Sequence, residues 1–91
     1  MKIERTKEFD QSVLKLKDKI AKKRLDALIK KLENAASLKD ISNVKPVVNN
    51  PNIYRIRTGD YRLFVLYRDF EVVILLIKYT KKDESTYNEF N

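Results

Sequence analysis

The chain has 91 residues, 43% of them hydrophobic, which suits one small domain spanning 1–91 and leaves no room for a second. It has no cysteine and no histidine, which excludes a disulfide framework, thiolate chemistry, the commonest zinc ligands and the commonest neutral-pH base, so no cofactor or metal is expected. Twenty Lys and Arg against thirteen Asp and Glu give +7, a balance that fits either a polyanionic partner (nucleic acid, ribosome or acidic protein segment) or a merely solvated lysine-rich surface.

The opening Met1-Lys2-Ile3-Glu4 lacks the apolar core of a signal peptide, and no stretch is apolar enough to span a bilayer, so a cytoplasmic protein with no membrane partner is expected. Lys2 to Arg5 alternate as a first strand. Thr6 then stands as a helix N-cap, with Glu8 in the first turn. Phe9, Val13, Leu16 and Ile20 recur at helical spacing, and so do Leu25, Leu28, Ile29, Leu32 and Ala36. At about 100° per residue the two stripes are turned by roughly 150° from one another. A break between about Lys17 and Arg24 lets both face one core, which predicts an αα-hairpin.

From Ser37 to Asn52 the helical pattern stops, and Pro46, Asn49-Asn50 and Pro51 mark a connecting loop. Three strands follow in a meander: Ile53 to Arg57, Tyr61 to Tyr67 and Val72 to Tyr79, with Arg68 to Glu71 as the second turn. The tail from Lys81 to Asn91 is charged and either forms a last helical turn or frays. The fold class is therefore α+β: an N-terminal strand, an αα-hairpin and a three-stranded antiparallel meander, with both helices on one sheet face.

Taking Thr58-Gly59 as the loop of the first hairpin pairs Arg57 with Asp60, Arg55 with Arg62 and Ile53 with Phe64. Arg55, Arg57 and Arg62 then share a face, while Tyr54, Ile56, Tyr61, Leu63, Val65 and Tyr67 form the core face under the helices. Opposed arginines are unfavourable without an anion between them. That anion is either a neighbouring carboxylate such as Asp60 or a phosphate gripped by paired guanidinium donors. Lys78, Lys81 and Lys82 extend the basic character beyond the last strand, unless they are simply a solvated end. Tyr87 either packs with Phe90 or stacks on a base.

The run Ile53-Tyr54-Arg55-Ile56-Arg57-Thr58-Gly59-Asp60-Tyr61-Arg62-Leu63 resembles the central motif of RelE/ParE toxins of type II toxin–antitoxin systems. The lysine-rich segment Phe9 to Leu32 and the tail Lys81 to Tyr87 resemble the same family's helices and ending, so the likeness covers nearly the whole chain. It implies one of two activities. RelE-like members cut mRNA in the ribosomal A site, through attack of the ribose 2′-hydroxyl on the adjacent phosphate. ParE-like members act on DNA gyrase without established catalytic residues. On the RelE-like reading the motif carries the catalytic role to Arg55, Arg57 and Arg62, the ending carries it to Lys81 and Tyr87, and Lys45, Lys78 and Lys82 are assigned to RNA binding. The tail departs from relatives that have His-Arg ahead of the last tyrosine, and arginine stands where some ribonucleases have lysine; since arginine keeps its proton, the general base is left open. A plain RNA-binding domain is a third reading. The implied partners are an antitoxin with an acidic segment and either the ribosome with mRNA or DNA gyrase.

Overall fold

The computed structural model describes residues 1–68 and 73–81. Strand β1 (Lys2–Arg5) leads into helix α1 (Lys7–Leu14) and helix α2 (Lys19–Asn34), a single 3-10 turn (Leu38–Asp40), then strands β2 (Val44–Pro46), β3 (Ile53–Thr58), β4 (Tyr61–Tyr67) and β5 (Val73–Lys81). The sheet has five strands in the order β1-β5-β4-β3-β2, antiparallel except for the parallel pair β1–β5. The α+β expectation holds, with both helices feeding a core on one face. Phe9 of α1 and Ala21, Leu25, Leu28 and Leu32 of α2 pack with Ile56, Leu63, Val65, Tyr67, Ile74, Leu76 and Tyr79.

Side-chain hydroxyls fix α1 to the sheet. Thr6 caps the helix by accepting from the Phe9 N–H, and its Oγ1 donates to the carbonyls of Leu76 and Ile77 at 3.2 and 3.0 Å. Nearly two turns on, Ser12 Oγ accepts from the Tyr79 N–H at 3.1 Å. The helix thus takes over the edge of β5 where β1 ends, satisfying backbone groups that an open edge would leave to water or to another chain.

Four expectations need correction. The helix break lies at residues 15–18 rather than between Lys17 and Arg24, because the Asp18 carboxylate accepts from the N–H groups of Ile20 and Ala21 and starts α2 there. The buried stripe of α2 becomes Ala21, Leu25, Leu28 and Leu32, which leaves Ile20 (64% exposed) and Ala36 outside the core. The Ser37–Asn52 loop contains the 3-10 turn and β2, whose flanking turns use Asn43, Asn49 and Asn52 at positive φ, a conformation that asparagine tolerates. The first hairpin turns on Gly59-Asp60, not Thr58-Gly59, so Thr58 pairs with Tyr61, Arg57 with Arg62, Arg55 with Phe64 and Ile53 with Leu66. The expected loop would have put a β-branched threonine at a position needing positive φ, whereas Gly59 takes it at +62°.

The slip is two residues, so no side chain changes face; a slip of one would have inverted them all. A bulge at Ile77 does change phase within β5: Val65 pairs with Leu76, but Phe64 pairs with Lys78. Ile74, Leu76 and Tyr79 can therefore all reach the core, and Lys78 and Thr80 turn to the opposite face.

Candidate nucleic-acid interface

The face of the sheet turned away from α2 carries two rows of side chains across the strands. One runs Lys45, Arg55, Phe64, Lys78 over β2 to β5, and the next runs Arg57, Arg62, Thr80 over β3 to β5. Strand alternation and hydrogen-bonded register alone bring these residues together, since neighbouring strands lie about 4.8 Å apart. The three arginines that share a face in the sequence pattern do so in the fold, with Lys45 and Lys78 at the two ends of the longer row.

Arg62 is the centre of the cluster and departs most from expectation. On a strand face away from the helices it should be exposed and contribute little to packing, yet it is only 7% exposed, and Phe64 beside it is 2% exposed. Burial lowers the Arg62 pKa from its ordinary value, and the neighbouring charges of Arg55 and then Arg57 lower it further. Arginine starts so far above neutrality that the group remains a cation there. The shift therefore reports a positive charge partly stripped of water beside two like charges.

Lys78 is tied into α1 by an ion pair with Glu8 at 3.8 Å, a partly exposed contact that orients the lysine more than it stabilises the fold. Lys81, at the end of β5, pairs with Tyr61 and so alternates to the face opposite Arg62; with Lys15, Lys17, Lys78 and Thr80 it lines a cleft between α1 and β5. Lys82 and Tyr87, together with Phe90, lie outside the described residues.

A family model described as the ParE toxin of type II toxin–antitoxin system, parDE, matches residues 3–84. The chain belongs to the ParE toxin family. Its fold is shared with solved RelE structures. The RelB–RelE antitoxin–toxin complex of Methanococcus jannaschii matches with a TM-score of 0.78 at 23% identity, over 97% of this chain and 99% of that one. The isolated E. coli RelE toxin matches with a TM-score of 0.63 at 22% identity, over 97% and 92%. The archaeal RelE–RelB complex from Pyrococcus horikoshii OT3 matches with a TM-score of 0.67 at 19% identity, over 91% and 96%. The curated proteins include no match. Among the described residues of the toxin, no helix is long and apolar enough to cross a membrane, and no group of His, Cys, Asp or Glu could hold a metal ion.

Two participants in the site escaped the sequence pattern. Phe64 falls on the arginine face by strand alternation, and nothing in its spacing indicates that it is buried between Arg55 and Lys78. Thr80 joins the row of Arg62 only because of the bulge at Ile77, and one extra residue in a strand leaves no compositional mark.

Proposed function

We propose that this toxin is a ribosome-dependent mRNA endoribonuclease silenced by an antitoxin with an acidic segment. The observation that carries the reading is the buried, charge-crowded Arg62 standing directly across from Arg57, with Arg55 on the same face. Three guanidiniums gathered on one face by the strand register can grip a phosphodiester through paired donors and stabilise the charge that builds on its oxygens as the ribose 2′-hydroxyl attacks, a term that is often the largest in such catalysis. Arginine keeps its proton and Lys81 alternates to the other face, so proton transfer falls to Lys82, Tyr87 or groups of the ribosome. Lys45, Lys78 and Lys82 are the proposed backbone contacts, and the cytoplasm is the compartment where such a target resides.

A second reading, inhibition of DNA gyrase without catalysis, is favoured by one observation: the matching family model is that of ParE toxins. The two separate in a purified system. On the first reading, wild-type protein cuts mRNA on ribosomes, Arg55→Ala and Arg57→Ala lose about 10²–10³ in rate each, and gyrase supercoiling is untouched. Tyr87→Phe tests whether that hydroxyl moves a proton, since stacking alone survives the change. Inhibited supercoiling with intact mRNA would establish the gyrase reading instead.

A further inference from the structure

A cleft of about 850 Å³ opens on the other side of Arg57, between α2 and the edge of β3. Its cations are Arg24, Lys30 and Lys31 from α2 and Arg57 from β3. Asp40, its single carboxylate among the described residues, accepts from the backbone N–H groups of Ala36 and Ser37 and is thereby committed to the 3-10 turn. Buried Leu28 and Ile56 supply an apolar floor. Arg24 owes its position to the only glycine in the chain: a Cβ on Gly59 would collide with the Arg24 guanidinium Nη1. The β3–β4 turn thus uses glycine twice, for its positive φ and for the close approach of this guanidinium.

A cationic rim over an apolar floor matches a nucleotide, which presents a phosphate on one side and a ribose and base on the other. The volume lies in the range of small-molecule pockets. Arg57 belongs to both places, standing opposite Arg62 in the strand register and lining this cleft. A strand whose phosphate sits between Arg57 and Arg62 therefore leads an adjoining nucleotide toward Arg24 and Lys31.

We propose that the cleft between α2 and β3 binds a nucleotide of single-stranded RNA adjacent to the phosphate held by Arg55, Arg57 and Arg62. The proposal rests on the RNA-directed reading above. Asn34 and Asn43, also in the cleft wall, bring carboxamides that can donate to and accept from a base edge, so the cleft is where a sequence preference would arise.

The probe is a fluorescent single-stranded RNA carrying 2′-O-methyl groups throughout, which binds but cannot be cut by 2′-hydroxyl attack. Its affinity is measured by anisotropy over a salt series for wild type, Lys30→Gln/Lys31→Gln and the charge-matched control Lys7→Gln/Lys22→Gln. All four lysines are exposed, and circular dichroism melts accompany each protein. The cleft variant is expected to bind about 10-fold more weakly than the control. Its slope of log affinity against log salt should be shallower by about 1.4, or about 0.7 for each lost phosphate contact. Equal affinity and slope in the two variants would overturn the proposal, and cutting of ribosomal mRNA by the wild type would then leave the ribonuclease reading standing. Loss of poly-glutamate binding with RNA affinity matching the control would assign the cleft to a protein partner and overturn it as well. Cleft-dependent RNA binding by a wild type that cuts nothing on ribosomes would support the cleft and remove the ribonuclease reading.

Discussion

At the scale of single residues, the telling feature is a buried cation, Arg62, with two further arginines on its face of the sheet. Burial first, and the charges of Arg55 and Arg57 next, lower its pKa from the ordinary value. Arg62→Met is expected to lose cleavage, and polyphosphate should raise the melting temperature of the wild type but not of the variant. An equal rise in both proteins would mean that Arg62 is not part of an anion site. Tyr79 is the structural counterpart. It is buried, stacks on Tyr61 at 5.1 Å between ring centroids, and donates to the Ala21 carbonyl at 3.0 Å. Burial first, and Tyr61 next, push its hydroxyl up to about 12. The folded state holds that proton more tightly than the unfolded chain does. The resulting stability, about 2–3 kcal/mol, is fully present below about pH 10 and is lost as the pH rises toward about 12. Urea titrations across that window should show a steep loss for wild type and a flatter one for Tyr79→Phe. Parallel curves would refute the assignment.

At the scale of elements, periodicity fixed which side of each strand faces the core and left the lengthwise alignment open. Tyr54, Ile56, Leu63, Val65 and Tyr67 were legible as one face because apolar side chains alternate there, and a two-residue slip in pairing cannot disturb that pattern. The slip itself was decided by one dihedral angle at Gly59. The helix break was decided by one carboxylate, at Asp18, in a segment without Gly or Pro. Strand β2 was invisible because three residues containing a proline carry no period, and it forms only by pairing with β3. The hairpin tip offers a direct test of how α2 is held over the sheet. Gly59→Ala should lose about 1 kcal/mol, the cost of a side chain at positive φ, because the Arg24 guanidinium it meets is the tip of a flexible, exposed side chain and can swing aside. Adding Arg24→Ala should then leave that loss unchanged, so the two changes add in a double-mutant cycle. A loss that Arg24→Ala partly restores would show that the guanidinium is held in place.

Across the whole molecule, two basic surfaces meet at Arg57: the arginine face of the sheet, and the cleft walled by Arg24, Lys30 and Lys31. Composition announced the excess of charge but not its division, because the lysines of α2 and the arginines of β3 are far apart in sequence and adjoin only through the fold. A partner that neutralises this toxin has an advantage if it covers both surfaces at once. An acidic segment that orders on binding can do so, since an extended chain wraps more surface than a folded domain of equal length. Such an encounter is steered by long-range attraction, which salt screens over about 10 Å at 0.1 M and about 3 Å at 1 M. The association rate of toxin with antitoxin, followed by stopped flow, is therefore expected to fall by 10-fold or more between low salt and 1 M salt, with a much smaller change in the dissociation rate. The Lys30→Gln/Lys31→Gln variant should show a reduced salt dependence of association, because it removes two of the charges that produce the steering field. A wild-type association rate that is constant across the salt series would mean that apolar contacts select the partner, with Leu14 (84% exposed) and Ile20 beside the α1–α2 turn as the surface to examine next.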